Sequence, residues 1–70
     1  LMIDKIGTAA GDIWEVLAKI IKPVNITDVP KKTGLTAAMA YQGLGWLARE
    51  GKVQYEIKGR SIYVFLDTQD

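Results

Sequence analysis

Apolar residues recur at three- and four-residue spacing near the start of the chain: Ile6, Ala9, Ala10, Ile13, Val16, Leu17 and Ile20. That is the period of an α-helix with one face turned to a core. The pattern predicts a first helix over residues 5–22. Trp14 and Ile21 flank the stripe, so the apolar arc is wide enough for more than one neighbour. Asp4 stands where a short acceptor would cap the first turn. Pro23 stands where the helix should end, because the residue before a proline avoids the α region. Gly7 and Gly11 fall on the opposite face, each less favourable than alanine by roughly 1 kcal/mol.

Val24-Asn25-Ile26 is too short for an independent hairpin arm and reads as a minor strand. Thr27 is placed to cap a short second helix, with Asp28 in its favourable first turn. Pro30 is tolerated there because first-turn amides have no helical acceptor. Gly34 supplies a turn, and Thr36 is placed to cap a third helix that runs to Glu50. Ala37, Ala40, Leu44, Leu47 and Ala48 make its inner face by periodicity, and Gly51 fits the position that ends it. Two helices joined by a short glycine-containing turn are the helix-turn-helix signature.

Beyond Gly51 the period changes to two. Val53, Tyr55 and Ile57 alternate with polar residues, and Ile62, Val64 and Leu66 alternate in a second run. This is a β-hairpin. A two-residue turn at Lys58-Gly59 would pair Tyr55 with Ile62 and Val53 with Val64, placing all six apolar alternates on one face. Asp67 to Asp70 reads as a frayed polar tail. The predicted class is α+β: a winged helix-turn-helix with three helices, a short strand and a C-terminal hairpin wing, in one domain over residues 1–70 with its core at about 4–66.

Composition narrows the function. The chain has 70 residues and a formal charge of +1, from nine basic and eight acidic side chains. Nucleic-acid modules usually carry a clear basic excess, so any basic patch must be local. Cysteine and histidine are absent, which excludes disulfides, Cys/His zinc sites and catalysis by either residue. Asp12 and Glu15 sit three apart on the first helix, a spacing that without a pocket solvates a face. Thr33-Gly34 and Lys58-Gly59 are turns, not parts of a phosphate loop. The expectation is a non-enzymatic domain with no cofactor, no metal and no small-molecule site. The longest apolar run is too short to span a membrane, and Asp4 and Asp12 interrupt any signal-like start. A cytoplasmic location is the default expectation.

A winged helix usually reads DNA with the exposed face of its third helix. That face is predicted to hold Ala38, Met39, Gln42, Gly45, Trp46 and Arg49. Of these, Gln42 is the candidate for base contact. Lys31, Lys32, Lys58 and Arg60 are the candidates for phosphate contact, which needs only positive charge within reach. Apolar surface is in surplus: Trp14 and Ile21 on helix 1, Met39 and Trp46 on helix 3, Tyr63 and Phe65 on the second sheet face. Exposed contiguous apolar patches mark association sites, so these six are interface candidates, with a symmetric homodimer as the expected partner arrangement.

Two stretches carry a family likeness. Ala10-Gly11-Asp12-Ile13-Trp14 with Leu17, and the run from Leu44 to Lys52 (Leu-Gly-Trp-Leu-Ala-Arg-Glu-Gly-Lys), resemble the first helix, third helix and wing entry of a small prokaryotic winged-helix family, domain of unknown function 2582. Ile62-Tyr63-Val64 fits its second wing strand, and the likeness covers roughly residues 4–66. Val29-Pro30-Lys31-Lys32 departs from the pattern by placing a proline in helix 2. The resemblance implies a stand-alone, homodimer-forming winged helix with no defined catalytic or ligand-binding residue. Two function classes follow: a DNA-binding or transcription-regulatory module with weak, low-specificity contact to double-stranded DNA, or a protein-interaction or homodimeric adaptor module that binds no nucleic acid.

Overall fold

The computed structural model describes residues 1–67. Helix α1 spans Met2–Lys19, strand β1 Val24–Asn25, helix α2 Val29–Thr33, helix α3 Ala37–Arg49, and strands β2 and β3 Val53–Lys58 and Ser61–Leu66. A 3₁₀ turn at Ile26–Asp28 joins β1 to α2. The strands form one antiparallel sheet in the order β1-β3-β2, so the minor strand lies beside β3 and β2 is an edge. This is the α+β winged helix-turn-helix architecture.

Helix α1 is displaced from its predicted span. It begins at Met2 and ends at Lys19, with Ile20 already extended at φ −102° and ψ 109°. Asp4 is therefore not the cap. Its carboxylate lies 3.7 Å from the chain's terminal amine, inside the positive end of the helix. The helix stops before Pro23 because Ile20 and Ile21, both β-branched, suit extended backbone, and Ile20 turns onto the core. The cap ahead of α2 is also one the sequence reading missed. Asn25 accepts from the Thr27 backbone N–H at 3.0 Å and from its hydroxyl at 2.9 Å, so Thr27 is capped and does not cap. Thr36 caps α3 as predicted, accepting from Met39 N–H at 3.2 Å. Gly34 and Gly51 close α2 and α3 at φ +78° and +73°, backbone that glycine adopts without steric cost.

The wing register differs from the expected one. Its two-residue turn is Gly59-Arg60, with Lys58 opposite Ser61, Tyr55 opposite Val64 and Val53 opposite Leu66. The cause is local. Gly59 takes φ +60° at the first central position and no non-glycine residue has positive φ, the pattern of a type II′ turn. The predicted turn at Lys58-Gly59 would have put a lysine there. Moving the turn by one residue changes every pair but keeps the parity, so the six apolar alternates still share one face. The polar tail also starts later than expected. Asp67 N–H donates to the Lys52 carbonyl at 2.9 Å, and its carboxylate accepts from Gln54 at 3.0 Å. The remaining tail residues lie outside the described residues.

The core joins Ala10, Ile13 and Leu17 of α1 to Ala40, Leu44 and Leu47 of α3, closed below by Val29, Val53 and Val64. Its tightest point is Gly43. A Cβ on Gly43 would stand 2.8 Å from the Ile13 Cδ1, 3.2 Å from the Ala10 nitrogen and 3.3 Å from the Ala9 carbonyl carbon. The Ile13 methyl could turn away, but the α1 backbone could not.

This arrangement makes two glycines of one helix behave oppositely. Gly43→Ala should gain about 1 kcal/mol of helix propensity and lose about 2–3 kcal/mol to overpacking, for a net destabilisation of about 1–2 kcal/mol. A Cβ at Gly45 meets nothing within 4 Å, so Gly45→Ala should stabilise by about 0.5–1 kcal/mol. Urea midpoints of the two variants should move in opposite directions.

Candidate nucleic-acid interface

Helix α3 presents most of its predicted outer face to solvent, and Ala37, expected on the inner face, is exposed too. Ala38, Gln42, Gly45 and Arg49 are exposed. Trp46 is exposed as predicted, although its indole also approaches α1, whereas Met39 belongs to the seam with α1. Met39 is half-buried beside Ala9 and Leu35. Trp46 lies along α1 with its Cζ2 3.9 Å from where a Cβ of Gly7 would stand. Trp14 flanks the same cleft and stays exposed. Among the other interface candidates, Ile21 is 98% exposed. Tyr63 and Phe65 are half-buried, and Phe65 lines a cleft with Ile20, Ile21 and Pro23, the connector that follows α1.

The basic candidates do not gather on α3. Lys31 and Lys32 occupy the last turn of α2 and are exposed, and Arg60 is exposed in the wing turn. Lys58 lies on the outer face of the hairpin, with its ammonium 3.5 Å from Glu56 Oε1 and 5.9 Å from the centroid of the Tyr63 ring. Lys32 lines a cleft together with Lys22, Asn25, Asp28 and Tyr63. Lys22 and Lys32 thus share a cleft with Tyr63, whose ring also has the Lys58 ammonium near it, while Gln42 does not line this cleft. Lys22 is the member that sequence reading missed. Its position was assigned to the last turn of helix 1, and only the early end of α1 carries it onto the sheet.

Charge is segregated along the fold. The segments of α2, the connector and the wing turn hold Lys22, Lys31, Lys32, Lys58 and Arg60 with Asp28 and Glu56, whereas α1 holds Asp4, Asp12 and Glu15 with Lys5 and Lys19. The near-neutral total therefore conceals a basic region. A cation near an aromatic face gains from the ring quadrupole, and the exposed ammonium groups remain able to meet phosphate oxygens.

The opposite face of the wing has different chemistry. Near the turn its inner side is left uncovered by the helices. Tyr55 and Ile57 of β2, Ile62 of β3, Ile26 and Tyr41 line a groove of about 320 Å³ against Leu44 of α3. Ile57 is 74% exposed. Period-two alternation assigned these residues to the core face, and it could not show that the helices cover only the Val53–Val64 end. Among the described residues no group of three or more His, Cys, Asp or Glu is placed to hold a metal ion.

Partial burial raises the Tyr55 phenol above its ordinary 10.0 by desolvating the phenolate. The unfolded chain then ionises first as pH climbs past that value, so unfolding releases a proton and stability falls with rising pH. Below it the phenol is neutral in both states and contributes no pH dependence. Wild type should therefore lose more stability than Tyr55→Phe between about pH 9 and about pH 11, read as the shift in urea midpoint.

Comparison with known proteins fits this geometry. Residues 2–66 match the family model described as Winged helix-turn-helix domain (DUF2582). The solution structure of protein BT2368 from Bacteroides thetaiotaomicron is similar at 29% identity and a TM-score of 0.85, covering 94% of this chain and 79% of that one. A structure of HOP2, described by its DNA recognition and protein interaction domains and its homologous DNA pairing properties, is similar at 32% identity and a TM-score of 0.73, covering 84% of this chain and 98% of that one. No curated protein matches.

Proposed function

Because the chain belongs to the winged helix-turn-helix family DUF2582, a non-catalytic winged-helix fold, we propose that it is a DNA-contacting module that grips the phosphate backbone with little sequence preference. The observation that carries this reading is the cleft shared by Lys22, Lys32 and Tyr63, with the Lys58 ammonium 5.9 Å from the same ring. Phosphate contacts fix a protein on a duplex and convey no sequence information. The outer face of α3 supports low specificity, since Ala38 and Gly45 offer no hydrogen-bonding side chain there and only Gln42 and Arg49 are equipped for base edges. The likeness to HOP2, described by its DNA recognition, supports DNA contact, and the wider proposal is a transcription-regulatory module in the cytoplasm. No helix among the described residues is long and apolar enough to cross a membrane.

A second reading, a protein-interaction or homodimeric adaptor, is favoured by the uncovered apolar groove between α3 and the wing.

The two differ in salt dependence. If Lys22, Lys31, Lys32, Lys58 and Arg60 each neutralise one phosphate, log K against log salt should fall with a slope of about −4.5. Titration against random duplexes between about 50 and about 200 mM salt measures it. The double variant Lys32→Ala, Lys58→Ala should flatten the slope by about 2 and weaken all duplexes alike, while Gln42→Ala should change little. Tight binding to one sequence at physiological salt, or no binding at the lower salt, would overturn the proposal.

A further inference from the structure

The edge of the wing carries an inference that does not depend on the DNA reading. Among the described residues, strand β2 is paired only with β3. In an antiparallel hairpin closed by a two-residue turn, the residues flanking the turn form a hydrogen-bonded pair, and such pairs alternate along the ladder. Lys58 opposite Ser61 is that pair here, so Glu56 and Gln54 also turn their backbone groups toward β3. The N–H and C=O groups of Val53, Tyr55 and Ile57 therefore point away from the hairpin. None of these residues makes a backbone hydrogen bond in a turn, loop or cap. An edge with unpaired groups beside exposed apolar side chains is a template for another strand.

We infer that β2 pairs antiparallel with β2 of a second copy of this chain, across a two-fold axis at Tyr55, to make a continuous sheet in the order β1-β3-β2-β2′-β3′-β1′. The choice of a second copy and of this register follows from the strand's own pattern. A dyad normal to the sheet keeps each copy's apolar face on the same side, so the axis must pass through a residue. Centred on Glu56, it would set two carboxylates directly opposite one another, which is destabilising. Centred on Ile57 it would set Tyr55 opposite Gly59, and centred on Gln54 it would set Ile57 opposite Gly51, each glycine lying outside the strand. Centred on Tyr55, it sets Tyr55 opposite Tyr55, Val53 opposite Ile57 and Gln54 opposite Glu56, with no like charges opposed inside β2. Every outward N–H and C=O of the three odd residues then finds a partner. Lys58 then stands opposite Lys52, the residue just before the partner's β2, and each of these lysines is paired on its own chain, Lys52 with Glu50 at 3.6 Å and Lys58 with Glu56 at 3.5 Å. The contact also covers Ile57 and joins the two apolar grooves into one surface across the axis.

The chain has no cysteine, which permits a clean test of the register. Tyr55 Cα atoms across the axis should stand about 5.5 Å apart, within reach of a disulfide. Those of Ile57 should stand about 13 Å apart, out of reach. Under oxidation Tyr55→Cys should form a covalent dimer, whereas Ile57→Cys should not. Sedimentation without nucleic acid should show a concentration-dependent dimer of the 7.7 kDa chain. Ile57→Pro removes an outward N–H and leaves the β2–β3 ladder intact, so it should raise the dimer Kd roughly tenfold or more. A wild-type monomer at all concentrations would overturn the inference. So would a dimer that Ile57→Pro leaves unchanged and Tyr55→Cys fails to cross-link. Should the proline variant fail to fold, the cysteine pair decides the matter alone.

Discussion

The close passage of α3 over α1 at Gly43 is the constraint on which the other contacts depend. Helix separation is set by the side chains at the crossing, and here one helix contributes none. Ala9 and Ala10 meet the α3 backbone directly, and Ile13 fills the space where a Gly43 side chain would project. This closeness brings Leu44 and Leu47 against Ile13 and Leu17 without a large core. It also lets the Trp46 indole lie along α1 at Gly7, because neither crossing point carries bulk. A chain of this length buries only about 60% of the surface its unfolded form exposes, so near-complete packing at one seam substitutes for volume.

The same economy explains what remains open. The sheet has three strands but β1 covers β3 only at Val64 and Tyr63, and the helices cover the inner face only at its Val53–Val64 end. Near the turn, Tyr55, Ile57 and Ile62 alternate inward as strand periodicity demands and find no helix above them. The wing is thus one hairpin with two unlike faces. Its inner face is apolar and partly wet. Its outer face carries Glu56, Lys58 and Tyr63 beside the lysines of α2 and the connector. A one-residue slip in the hairpin would exchange these faces, so the type II′ turn at Gly59-Arg60 fixes which chemistry each side presents.

Much of this was legible in the sequence because it rests on period and punctuation. The spacing of Ile6 to Leu17 gave α1, Thr36 and Gly51 bounded α3, and the alternation after Val53 gave the wing. The misses share a physical cause: each depended on a neighbour that local pattern does not contain. Lys58-Gly59 and Gly59-Arg60 are both glycine-bearing turns with the same parity, and only the sign of φ at each position separates them. Met39 sits at the margin of the helical wheel, where Ala9 of another helix and Leu35 decide whether it is covered. Lys22 was assigned to a helix that in fact stops three residues earlier, at Lys19. The net charge of +1 is a sum over opposed regions and holds no information about either.

Pairing at the β2 edge and phosphate contact on the outer sheet face are compatible for a geometric reason. A two-fold axis normal to a sheet turns it in its own plane and leaves each face on its original side. The two cationic faces, each built around Tyr63, would then lie side by side on one surface of the six-stranded sheet, and the apolar grooves would meet on the other. A duplex crossing that surface would engage both copies, and the second contact would gain from effective concentration with no new interaction. Dimerisation by stacking the outer faces would do the reverse, burying Lys32 and Lys58 against their equivalents and opposing like charges. The placement of cations outside and apolar residues inside the wing is therefore what would let a balanced-charge domain act as half of a larger basic surface in the proposed dimer.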